Sequence, residues 1–307
     1  MGRSSDNKSY LTKLLGPLGG DSFASRAGTI VLLFVGLTIG SIVVWHQWGR
    51  QVVQAGDMSL SREKIHITPQ PTWIRRTDVL ADVAGSASLD QLSFKQPNVT
   101  VHVADAFSTH PWVAKVRRCS KTFPGELTVD LEYRRPVAMV RVPLPNQPSP
   151  GVLPVDEHGV LLPTVDFDQT QTQTYPRIFA EIGYEKKVAG APWGDPRIHA
   201  GARVAAMLAP VWQPLELFAI RCDLVKRQAG ISSVQIELRT QKDTRIWWGS
   251  PPGAEGPSEP QADVKIARLR EFQAERGSLD KVPPDQMIDL TRSDRLYVAR
   301  AEQQDRL

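Results

Sequence analysis

The chain has 307 residues, with 37 Lys and Arg against 33 Asp and Glu, a net charge of +4 and 23% charged residues. That length suits about two domains, and so even a balance excludes a disordered polyelectrolyte and gives no basic stripe for nucleic acid. The 24 prolines are spread along the chain and predict short elements broken by turns.

Residues 27–45 read AGTIVLLFVGLTIGSIVVW. They carry no charge over about twenty residues, the length that spans a bilayer's hydrocarbon core. The run ends in Trp45, His46, Gln47 and Trp48, as at an aromatic membrane border, rather than in a small-residue cleavage site. Arg3, Lys8, Lys13 and Arg26 precede it, and Arg50 is the basic residue close behind it. The positive-inside rule then predicts a cytoplasmic tail at 1–26, one transmembrane helix at 27–48 and an exported remainder.

In the remainder, 64–68 (KIHIT) alternates apolar and polar like a short strand. Val79, Leu80 and Val83 in 77–84 have helical spacing, with Gly85 as the expected stop. Residues 99–110 form a second helix candidate, weakened by β-branched side chains. Residues 113–119 and 126–133 read as strands joined at Pro124-Gly125. The order is strand, helix, helix, strand, strand.

Beyond it, 137–142 reads as a strand. Residues 152–155 and 159–162 flank a turn at Asp156-Glu157-His158, where Gly159 permits positive φ. Asp195-Pro196 opens a helix as N-cap and first-turn proline, with Ile198, Ala202, Ala205 and Leu208 on one side. Residues 215–224, 231–239 and 244–248 alternate as strands, with Leu217 and Ala219 expected opposite Phe218, Ile220 and Cys222. A Pro/Gly loop at 251–260 precedes a charged amphipathic helix at 263–274. Residues 287–290 and 296–300 are the last strands.

The Pro111-Trp112-Val113 triplet, LTVDLEYRRPVA, LPVDEHGVLLP and MIDLTRSDRLYVAR, in that order behind the apolar run, resemble the bacterial division proteins of the FtsQ/DivIB family. The resemblance covers about residues 26–300. It implies an α+β chain: a single transmembrane helix, a POTRA (polypeptide-transport-associated) domain of order β-α-α-β-β at 60–136, a β-rich domain with packed helices at 137–300 and a tail at 301–307. It further implies a scaffold of the division complex in the cytoplasmic membrane, gathered at the septum, with small bitopic coiled-coil partners of the FtsB and FtsL type. The implied partner-binding residues are Asp294, Arg295, Leu296, Tyr297, Val298, Ala299 and Arg300. Lys265 matches a lysine the family often carries. Tyr133 stands where the family usually has Glu, and the loop after Trp248 is longer than the family leads one to expect. A POTRA-containing assembly or transport factor is the alternative, though such proteins carry several copies and a barrel.

Chemistry has little footing in the residues. Adjacent side chains at the tip of 156–158 point to opposite faces and read as a solvated turn. His102, His110 and His199 have no ligand spacing, and Ser120, Ser232 and Ser233 no nucleophile-elbow context. A non-enzymatic protein without cofactor, nucleic acid or small-molecule substrate is expected. Trp247-Trp248 predicts one core ring and one facing outward or toward a partner. Cys119 and Cys222 fall in different expected domains. A bridge would need Cα atoms within about 7 Å, and independent thiols are the simpler reading.

Overall fold

The computed structural model describes residues 23–45, 59–123, 125–144, 149–183, 187–226 and 232–300. The chain divides into two compact units, Met1–Met58 and Ser59–Leu307. In the first, α1 spans Phe23–Val44, and its described large apolar side chains are exposed.

The expectation of a single transmembrane helix is corrected here. Among the described residues no helix is long and apolar enough to cross a membrane. Within α1, Thr38 and Ser41 interrupt the apolar run and return their hydroxyls to the carbonyls of Phe34 and Thr38. Residues 1–22 of the expected tail at 1–26, the border residues His46 to Trp48 and the tail at 301–307 lie outside the described residues.

The second unit holds two sheets. The smaller has the order β1-β3-β2, built from β1 (Ile65–Ile67), β2 (Val113–Thr122) and β3 (Glu126–Tyr133). β1 runs parallel to β3, and β2 and β3 form an antiparallel hairpin. Leu127, Val129 and Leu131 alternate inward along β3, while Thr128, Asp130 and Glu132 face out. Two helices cover the inner face. α2 (Val79–Ser86) starts at Asp78, whose carboxylate accepts the Ala81 amide, and buries Val79 and Val83. It runs through Gly85, expected as its stop, because the Ala87 amide still reaches the Val83 carbonyl. α3 (Val99–Ser108) buries Val99, Val103 and Phe107, spaced by four, so packing overrides the poor propensity of its β-branched residues. Trp112 is fully buried among them.

The larger sheet has eight strands in the order β11-β10-β9-β8-β7-β6-β4-β5. These are β4 (Pro136–Val142), β5 (Gly151–Asp156), β6 (Arg177–Phe179), β7 (Leu217–Lys226), β8 (Ser232–Thr240), β9 (Arg245–Gly249), β10 (Gln286–Asp289) and β11 (Tyr297–Arg300). Between β5 and β6 lies the single turn α4 (Gln169–Thr172), begun by a capping box at Asp168 and Gln171. β6 escaped the sequence reading because three residues carry no readable period. It persists through parallel pairing on both sides, with β4 and β7. α5 (Pro196–Leu208), capped by Asp195, buries Ile198, Ala202, Ala205 and Leu208. These join a core with Cys222, Ile236, Ile246, Trp248 and Ile288, to which α6 (Ala262–Arg276) adds Leu269 and Phe272. In β7 a register shift between Leu217 and Ala219 breaks the expected alternation: Ile220 and Cys222 are buried while Phe218 is 42% exposed. The expected 159–162 strand touches β5 through one bridge, Val155 with Leu161, and Gly159 has φ +70°.

The two sheets are joined by a carboxylate. Asp166, 1% exposed, follows β5. Its Oδ1 accepts the amides of Arg75 (2.8 Å), Arg76 (2.6 Å) and Thr77 (3.0 Å). Its Oδ2 accepts Thr77 Oγ1 (2.6 Å) and Trp112 Nε1 (2.8 Å). Arg134, between β3 and β4, donates to buried Asp156 at 2.8 Å. Gly190 lies so close to Pro111 that a Cβ would stand 3.1 Å from its Cα, at φ +88°. The Tyr133 hydroxyl donates to the Thr68 carbonyl at 2.7 Å, tying the end of β3 to the turn after β1. Burial pushes that phenol up to about 12.

Candidate functional site

β11 is the last described strand and an edge of the larger sheet. Among the described residues it pairs on one side only, antiparallel to β10, with Ile288 opposite Val298 and Asp289 opposite Tyr297. An edge strand presents outward a row of backbone donors and acceptors at alternate residues. Val298 and Leu296 are half-buried against the core, while Tyr297 is 41% exposed and Arg300 is exposed. The guanidinium of Arg292 lies 4.7 Å over the Tyr297 ring. Asp294 and Arg295 precede the strand, exposed and 3.9 Å apart. Of the residues expected to bind a partner, Tyr297, Val298, Ala299 and Arg300 form the strand, and Asp294, Arg295 and Leu296 form its approach.

Beside this edge lies a groove of about 490 Å³ between β11 and α6. Phe272, Leu296 and Val298 give it apolar surface, and Arg268, Arg276 and Arg295 stand against Glu271, Glu275 and Asp294. Arg268 fixes the turn before β11 by donating to the carbonyls of Arg292 (2.6 Å) and Ser293 (2.7 Å). Arg276 lies over the Phe272 ring at 4.7 Å. The sequence reading missed this α6 wall. The helix and its apolar Phe272 were legible, but nothing in the spacing of 268–276 ties it to 294–298.

α6 is seated by Lys265, which is fully buried rather than displayed. Its Nζ donates to the Trp248 carbonyl (2.7 Å) and Glu259 Oε1 (2.6 Å), and lies 5.1 Å from the Trp248 ring centroid. Glu259 also accepts the Ser250 amide at 2.7 Å, which pins the long loop after β9. The fit leaves no space for a side chain at Gly249: its Cβ would stand 2.3 Å from Glu259 Oε1.

Elsewhere, the expected solvated turn at 156–158 is corrected in part. Asp156 is buried and accepts the amides of His158 and Val160, both at 2.9 Å, while Glu157 and His158 are exposed. Its carboxylate is thus committed to holding the turn and Arg134. Among the described residues no group of His, Cys, Asp and Glu could hold a metal ion. Cys119 and Cys222 are free thiols. Burial pushes both up, Cys222 to about 12, so neither is a ready nucleophile. Trp248 is fully buried and Trp247 half-buried. Compared with known proteins, the chain matches no family model and no curated protein.

Proposed function

We propose that this chain is a non-enzymatic scaffold of the bacterial division complex, acting on the extracytoplasmic side of the cytoplasmic membrane in the manner of the FtsQ/DivIB proteins it resembles. The observation that carries this reading is the open edge of β11 beside the α6 groove. A segment of a partner would add to the sheet through backbone hydrogen bonds, as in strand-addition complexes. Its alternate side chains would meet Tyr297 or the apolar, charge-balanced groove. The exposed Arg295 before the strand and Arg300 at its end favour a segment with Asp or Glu nearby, through bidentate pairing. Small coiled-coil division proteins of the FtsB and FtsL type are the proposed partners.

The test is a fluorescent fusion of the full chain and of the same chain ending at Arg295. A midcell band and co-purification of the coiled-coil partners are expected for the first and lost for the second. Capture retained without 296–307 sinks docking at this edge. A uniform envelope signal from the full chain sinks the division role and favours an assembly or transport factor.

A further inference from the structure

The face of the larger sheet away from α5 carries a second site. Across four strands, residues in register form one row, Met139, Arg177, Ala219 and Arg239, and beside it Phe179, Arg221 and Glu237. Arg141 joins the second row, its guanidinium 5.2 Å over the Phe179 ring. Arg177 lies 5.5 Å over Phe218, the ring that the β7 irregularity leaves exposed. A groove of about 560 Å³ opens here, with Pro143, Ala180 and Ala219 adding apolar surface. That size suits a specific ligand.

The charges on this face are unequally satisfied. Arg239 and Arg245 close on Glu237 at 2.8 and 2.7 Å, and Arg221 on Asp223 at 3.1 Å. Arg141 and Arg177 have no carboxylate within ion-pair distance among the described residues, and Arg177 Nε is buried with no acceptor. The Arg141 guanidinium, held over the Phe179 ring, loses less rotamer freedom when a carboxylate pairs with it than a free side chain would. Glu181, Asp223 and Asp243 also line the groove; Arg221 takes up Asp223 and Arg239 takes up Asp243, while Glu181 turns the acidic end of a ligand away from itself toward Arg141.

We propose that this groove docks an extended apolar segment of a partner protein that carries a carboxylate, the carboxylate on Arg141 and the apolar side chains on Phe179 and Phe218. This goes beyond the scaffold reading by giving the chain a second docking face, independent of β11.

The test uses the full chain and a fluorescein-labelled peptide of alternating Glu and Leu, read by anisotropy at low and high salt. Salt-sensitive binding is expected, weakened more than tenfold by Arg141→Glu and by Phe218→Ser, both at exposed positions. Tyr297→Ala should leave it unchanged. Arg141→Glu should in turn gain affinity for the matching Lys–Leu peptide, a result that a misfolded variant cannot give. The proposal is overturned by no binding at millimolar peptide, by equal binding of a Gln–Leu or a Glu–Ser peptide, by indifference to Arg141→Glu, or by equal loss in Tyr297→Ala.

Discussion

At the scale of single residues, Asp166 and Trp112 carry the heaviest local burden. Burial alone would raise the Asp166 carboxyl. The hydrogen bonds from Thr77, the Arg76 amide and Trp112 outweigh it and hold the group below the usual carboxylate value. A carboxylate depressed in the folded state stabilises the fold above the unfolded value of about 4, and that contribution fades as pH falls through the lower folded value. Asp166→Asn turns an amide NH₂ toward the Trp112 indole N–H, which cannot accept, and removes the charge that the surrounding amides stabilise; it should cost about 3 kcal/mol at pH 7. Urea titrations should also show a shallower loss of stability below pH 4 in the variant than in the parent. Trp112→Ala should cost about 3–5 kcal/mol as a large core truncation. Trp112→Phe keeps most of the packing and loses the bond to Asp166, so its cost should fall well short of that; equal midpoints for the two would remove the packing role.

Elements differ in how much of them the sequence discloses. β3 was legible because one face meets a core and the other meets water. α5 was legible because Asp195 and Pro196 mark its start. The run of β7 past Phe218 was misread at one end because an irregularity leaves no mark in residue type. Of the site, the alternation of Leu296, Tyr297 and Val298 marks a strand, while its place at an edge comes from the sheet order. The α6 wall could not be inferred, because contact between distant segments is set by sheet order. Lys265 is the sharpest case: a lysine on a charged helix reads as solvated, yet it is the helix's buried anchor. Lys265→Met alone strands Glu259 in a largely buried place and should cost about 3–5 kcal/mol. Adding Glu259→Leu should recover most of it, and thermal melts of the cycle measure the coupling. On β11, successive amides face opposite ways. Of Val298→Pro and Ala299→Pro, one should therefore disrupt pairing with β10 and the other abolish partner capture from a folded protein.

For the whole molecule, the sheets are fastened at separate points: Arg134 on Asp156 beside the linker, the Asp166 clasp, and Gly190 against Pro111. A joint held at one point is a hinge; one held at several resists rotation. A force applied at β11 would therefore reach β1 without being absorbed by bending between the sheets, and the pair would act as a lever of fixed shape. Spin labels at Glu132 and Asp243, on the two sheets, should give one narrow distance distribution in the parent chain. Asp166→Ala should broaden it, because removing the clasp lets the lever flex.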